Sequence, residues 1–210
     1  IGTGATQVAV LAPAGRPRAV VVYIHGWGDL SPAGKPWLAH LRSRGDVVVY
    51  PRYQLNIYDS TQATIAHLAA GLRRAFADRS LRGLPVITVG YSWGAKLVFD
   101  YAVNARRWGL PVQRAVMSVF QPSVYYGGPP RGRLPPGIRV LLVSGDRDDR
   151  AASSAYRVWL RSYPKSLWRF QLVRSVGAWV AGHDAPSRTD ARARSVFWAP
   201  LDAVVARFAR

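Results

Sequence analysis

Cysteine is absent from this chain, which excludes disulfides and thiolate metal sites and leaves every cellular compartment open. Lysine is nearly absent: only Lys35, Lys96 and Lys165 occur, so arginine carries the positive charge. No run of about 18 apolar residues exists to span a bilayer. The four histidines stand far apart and form no His-x-x-x-His pair, so no metal site and no cofactor are expected. Internal repeats, linkers and low-complexity tracts are missing as well, which argues against a modular chain.

What remains is a chain of 210 residues, 49% hydrophobic and 19% charged. That composition fits one folded domain over 1–210 with a full core. The formal charge of +18 suggests a polyanion partner, but its distribution does not. The arginines are scattered singly, with no basic block and no recognition motif of the RRM or zinc-finger type, so nucleic acid is not expected as a partner. Adsorption to anionic surfaces, weakened by salt, is the consequence such a charge does carry. The chain begins at Ile1 rather than Met. The expectation is that it has been processed and that any signal peptide has gone, which fits secretion without excluding the cytoplasm. Oligomeric state cannot be read from it.

Along the chain, short β-branched apolar runs alternate with segments of helical period. Strands are expected at 6–11, 18–24, 47–50, 84–89, 114–120, 138–144 and 166–173. Their near-continuous apolar character is that of parallel strands buried on both faces. Helices are expected at 37–44, from a cap at Asp59 or Ser60 to Arg79, at 95–102, at 151–162, and from Ser187 to Arg210 with a break at Pro200. The long second helix carries Ile65, Leu68, Leu72 and Phe76 on one face. Residues 51–58 read as an irregular, aromatic-rich connection. This alternation predicts an α/β sheet, mostly parallel, with helices on both faces.

One stretch organises the chemistry. Gly90-Tyr91-Ser92-Trp93-Gly94 falls between a buried strand and a helix, the arrangement of a nucleophile elbow. Such a turn strains the serine backbone and needs small neighbours so that strand and helix pass closely. Three further features fall at strand ends, where sites form in open parallel sheets: the His25-Gly26-Trp27-Gly28-Asp29 loop, the Gly145–Asp149 loop, and His183. The chain order Ser, Asp, His is that of α/β-hydrolases.

On these residues the chain resembles a small α/β-hydrolase of the serine esterase type, from about Arg18 onward. It is similar to the dienelactone-hydrolase and cutinase-like polyester-hydrolase branches, which lack a large lid. The resemblance implies a single-domain α/β-hydrolase fold with Ser92 as nucleophile and His183 as base. It maps the acid to Asp148 through the Gly-x-x-Asp pattern, with Asp146 as the alternative. Asp146 is otherwise expected to cap the turn and Asp149 the following helix, while Asp184 is badly placed to reach the same imidazole. The implied oxyanion donors are the backbone N–H groups of Trp93 and Trp27. His25 is expected to brace the oxyanion loop, and His40 and His67 to be ordinary packing or surface residues.

The gap 121–137 is too short and too rich in Pro and Gly for a lid, so the site should be open. Trp27 and Trp93 should flank it, with Tyr125 or Tyr126 contributing from the short loop and Trp179 offering another ring. Aromatic walls suit flat acyl groups. The expected function is a carboxylic ester hydrolase acting on short-chain or aromatic esters, small or polymeric. Lactones, thioesters, amides and acyl transfer share the same oxyanion chemistry. A binding protein on a hydrolase fold is the reading from a different class.

Overall fold

The apolar runs assemble into one seven-stranded sheet in the order β1-β3-β2-β4-β5-β6-β7. The computed structural model describes residues 1–123, 125, 127–149 and 153–209. The strands are β1 (Val8–Leu11), β2 (Ala19–Ile24), β3 (Asp46–Pro51), β4 (Val86–Tyr91), β5 (Ala115–Val119), β6 (Arg139–Gly145) and β7 (Trp168–Val173). Edge strand β1 runs antiparallel to β3, and every other pairing is parallel. Parallel strands need crossovers, and helices supply them, covering both faces.

The helices are α1 (Pro36–Ser43), α2 (Thr61–Phe76), α3 (Trp93–Asn104), α4 (Ser153–Leu160), α5 (Ala191–Ala193) and α6 (Ala199–Ala206). Successive residues of β2 feed opposite cores, as the strand period of two requires. Val20, Val22 and Ile24 pack with Leu68 and Leu72 of α2, Leu97 of α3 and Leu160 of α4. Ala19, Val21 and Tyr23 pack with Leu38 and Leu41 of α1 and with Leu201 and Val205 of α6. No helix among the described residues is long and apolar enough to cross a membrane.

Several boundaries differ from the sequence expectation for local reasons. Ser60, not Asp59, caps α2, accepting from Ala63 N–H; Asp59 instead accepts from Leu55 N–H at 2.6 Å. Helix α2 stops at Phe76 because Asp78 captures Ser80 N–H and starts a separate turn at Arg79–Leu81. The C-terminal helix begins at Ala191 rather than Ser187, capped by Asp190 through Ala193 N–H. The expected start of the fourth helix, at residues 151 and 152, lies outside the described residues.

Pro200 divides the C-terminal helix, which passes through a π-helical turn at Arg194–Trp198 into α6. A proline has no N–H and its ring clashes with the carbonyl four residues back, here Val196. That released carbonyl accepts from Gln171 Nε2 on β7 at 2.9 Å. The break thus docks the C-terminal helix onto the edge of the sheet. His40 adds a second tie, from α1 to Asp202 of α6 at 2.9 Å.

Candidate active site

Strand β4 delivers Ser92 to the carboxyl end of the sheet. Its backbone sits at φ 54°, ψ −118°, a region costing roughly 1–3 kcal/mol for a residue with a side chain. Two hydrogen bonds hold it there: Ser92 N–H to Val119 C=O at 3.0 Å, and Ala95 N–H to Ser92 C=O at 2.9 Å. The flanking glycines are sterically required. A Cβ on Gly90 would stand 2.1 Å from the Gly94 oxygen, and one on Gly94 would stand 2.0 Å from the Ile24 oxygen. β2, β4 and α3 therefore meet backbone to backbone beneath the serine. Trp93 opens α3, so its N–H lies at the positive end of the helix dipole.

His183 arrives from the loop after β7. Its Nε2 lies 2.9 Å from Ser92 Oγ, and its Nδ1 lies 2.9 Å from Asp148 Oδ1. The Asp148 side chain is 0% exposed and that of His183 11%, so the relay is shielded on one side and open at the serine. Tyr91 Oη donates to the His183 carbonyl at 2.9 Å. The residue preceding the nucleophile thus fixes the loop that carries the imidazole.

Asp146 stands outside the relay but shapes it. It accepts from Ser175 N–H at 3.0 Å and from the Ser175 hydroxyl at 2.7 Å, while Ser175 Oγ accepts from Ala181 N–H at 2.9 Å. The loop leading to His183 is thereby tied to the end of β6. The Ser175 hydroxyl is the main cause holding the Asp146 carboxyl below its ordinary value of 3.8. A carboxyl whose folded pKa is depressed stabilises the fold above its unfolded pKa and loses that effect as pH falls through the folded one. Asp146→Asn is accordingly expected to melt below wild type at pH 7. That difference should shrink below about pH 4 and vanish once the native carboxyl is protonated, as read from thermal melts across pH 7 to 2.

The loop after β2 forms the opposite wall. A Cβ on Gly26 would lie 3.2 Å from the Tyr91 ring and 3.4 Å from Ser92 Cβ, so this backbone packs closely against the nucleophile. His25 is fully buried, stacked between Tyr50 and Tyr53. Its ring nitrogens face the carbonyls of Gly26 and Arg52. Burial lowers its pKa against the opposing pull of those two carbonyls, and the ring braces the loop from both of its nitrogens. Tyr53 Oη donates to the His25 carbonyl at 2.7 Å, and Gln54 Oε1 accepts from Gly28 N–H at 3.1 Å. Tyr53 and Gln54 belong to the irregular 51–58 connection, where no sequence period marks them.

Ser92 and His183 open into a cleft of about 980 Å³, lined by Trp27, Trp93, Ile57 and Pro122 among others. Trp27 and Trp93 meet edge to face at 4.9 Å, and Trp27 Nε1 donates to the Ile57 carbonyl at 3.1 Å. Tyr125 is not part of this lining. Tyr125 N–H donates to Ser123 Oγ at 3.3 Å and Tyr125 is 87% exposed, while Pro122 and Ser123 line the cleft. Tyr126 lies outside the described residues. Trp179 is engaged elsewhere, donating to Asp190 at 3.1 Å beneath the guanidiniums of Arg188 and Arg192. Ile57 and Asp59 on the rim carry no sequence signal beyond lying after a buried strand.

No protein-family model matches the chain, and no curated protein does. Solved structures match over nearly its whole length. A soluble variant of monoglyceride lipase from Saccharomyces cerevisiae superposes with a TM-score of 0.73 at 12% identity, over 97% of this chain and 91% of the lipase. A thermophilic esterase from Thermogutta terrifontis gives 0.70 at 16% identity, over 95% and 88%. Est1E from Butyrivibrio proteoclasticus, with ferulic acid bound, gives 0.65 at 12% identity, over 94% and 95%. The chain has the α/β-hydrolase fold, and between β5 and β6 no helical lid is inserted among the described residues.

Proposed function

We propose that the protein is a serine carboxylic ester hydrolase working through an acyl-enzyme, with Ser92, His183 and Asp148 as its triad. One observation carries this reading: the unbroken Asp148–His183–Ser92 relay, with both links at 2.9 Å, opening onto a lidless cleft. A serine hydroxyl is a weak nucleophile until a base within hydrogen-bond reach takes its proton. In the proposed reaction Ser92 Oγ bonds to the acyl carbon while its proton passes to His183 Nε2. The carbonyl oxygen becomes an oxyanion, facing the N–H groups of Trp93 and Trp27. Collapse breaks the bond to the alkoxy oxygen, which leaves with the proton from His183. Water then repeats the sequence on the acyl-enzyme, releasing the acid and restoring Ser92. Asp148 holds the Nδ1–H tautomer and steadies the imidazolium.

The Trp27–Trp93 pair and the open cleft favour short-chain or aromatic acyl groups. The ester-hydrolysing neighbours, one of them holding ferulic acid, agree with that class. The proposed ester substrates are small or polymeric, and the +18 charge favours adsorption of the protein to anionic surfaces.

The two candidate acids provide the test. Asp148→Asn is expected to lower kcat on p-nitrophenyl butyrate by about 10⁴-fold, because an amide would select the wrong imidazole tautomer. Asp146→Asn, which only ties the loop, should lower it less than about tenfold at neutral pH. Equal losses in the two variants would reject Asp148 as the triad acid.

A further inference from the structure

The charge of the cleft is opposite to that of the protein. The chain has no glutamate, and its 11 acidic residues, all aspartates, stand against 29 Lys and Arg. Yet the described residues lining the Ser92 cleft include Asp29, Asp59, Asp149 and Asp184, and no lysine or arginine. Asp29 is neutralised by Lys35 at 2.6 Å. Asp59, Asp149 and Asp184 have no ion-pair partner among the described residues. Among the described residues Asp59 accepts the Leu55 N–H, which fixes its position without cancelling its charge.

Three carboxylates without an ion-pair partner among the described residues therefore line the cleft that holds Ser92. A cleft with walls of lower dielectric than water focuses the field of its own charges, and the described lining holds aspartates and no lysine or arginine. The Trp27 ring, 40% exposed, adds an aromatic surface that attracts cations and gives nothing to anions.

We infer that this cleft selects its esters by charge, accepting neutral and cationic substrates and rejecting those that carry a second anionic group. The inference rests on the ester-hydrolase reading and narrows it. It also separates two roles of charge: the basic exterior draws the protein to anionic surfaces, and the acidic cleft admits uncharged or cationic ester groups.

The test uses butyrate esters of three alcohols of similar size: choline, 3,3-dimethylbutanol and 2-hydroxyethanesulfonate, followed by acid release in a pH-stat at pH 7.5. In wild type the choline ester should exceed the sulfonate ester in kcat/KM by about tenfold or more at low salt, with the neutral ester between them. Asp59→Asn/Asp149→Asn should shrink that ratio by about threefold or more. Because the ratio is taken within one variant, a general loss of activity or folding cancels. Asp78→Asn removes one charge from a surface turn away from the cleft and should leave the ratio as in wild type. A wild-type ratio near one, or a ratio unmoved in the double variant, overturns charge selection while leaving ester hydrolysis standing. Failure to cleave even the neutral ester overturns the hydrolase reading, and this inference with it.

Discussion

Ser92→Ala is expected to lower kcat/KM on p-nitrophenyl butyrate by about 10⁴-fold or more, the scale on which losing a triad nucleophile acts. Covalent acyl transfer has no other route in the proposed site, since His183 Nε2 faces the Ser92 oxygen at 2.9 Å. The residual rate should come from the oxyanion donors and binding alone. Removing one oxygen leaves the strained backbone at φ 54° as it was, because alanine carries the same Cβ. The melting temperature should therefore stay within a few degrees of wild type, so the loss reads as chemistry and not as unfolding. A variant keeping a tenth of the wild-type rate would place the nucleophile elsewhere.

Gly94→Ala should be among the most destabilising single-methyl additions to this chain, alongside Gly90→Ala and Gly145→Ala. The new Cβ would stand 2.0 Å from the Ile24 oxygen and 2.5 Å from the His25 oxygen. Neither obstacle is a side-chain tip that can rotate away; both belong to the backbone at the end of β2. To relieve the overlap, α3 must shift by about 1 Å against a close-packed core. Overpacking of this kind costs typically 1–3 kcal/mol and occasionally more, and a backbone-on-backbone clash belongs at the upper end. At roughly 2–4 °C per kcal/mol for a domain of this size, the midpoint should fall by about 10 °C. Activity should fall further, because the same shift moves Trp93 N–H and Ser92. Gly15→Ala is the control: a Cβ there meets nothing within 4 Å, so its midpoint should stay within about 2 °C of wild type. Equal midpoints for the two variants would mean that the helix yields freely.

The central strands were legible because they are buried on both faces. Residues 19–24 and 46–51 carry unbroken burial, and an apolar run of that kind leaves few other structures open. Boundaries were less legible where one side chain decides them. Asp78 and Asp190 each capture a nearby N–H, and nothing in the period announces that competition. The proline break was visible, but its consequence was not, since Gln171 waits for the freed carbonyl 25 residues away.

The candidate site divides in the same way. Ser92, Asp148 and His183 could be picked out because they follow β4, β6 and β7 in a known order, and in the structure His183 lies within hydrogen-bond distance of both Ser92 and Asp148. The parts contributed by residues 53–59 could not. Tyr53, Gln54 and Ile57 act through contacts to a loop about 26 to 30 residues earlier in the chain, and irregular backbone gives no repeat from which to read facing. Tyr125 and Trp179 are absent from the described lining of the cleft: Tyr125 is exposed, and Trp179 donates its indole N–H to Asp190.

The most direct test of the account is covalent. Incubated with a short alkyl p-nitrophenyl phosphonate, the wild-type protein should release one equivalent of nitrophenolate and gain the mass of a single phosphonyl group. Peptide mapping should place that group on Ser92, and Ser92→Ala should gain nothing under the same conditions. A phosphonyl group on any other residue, or an unmodified wild-type protein after prolonged exposure, would contradict the serine-hydrolase account.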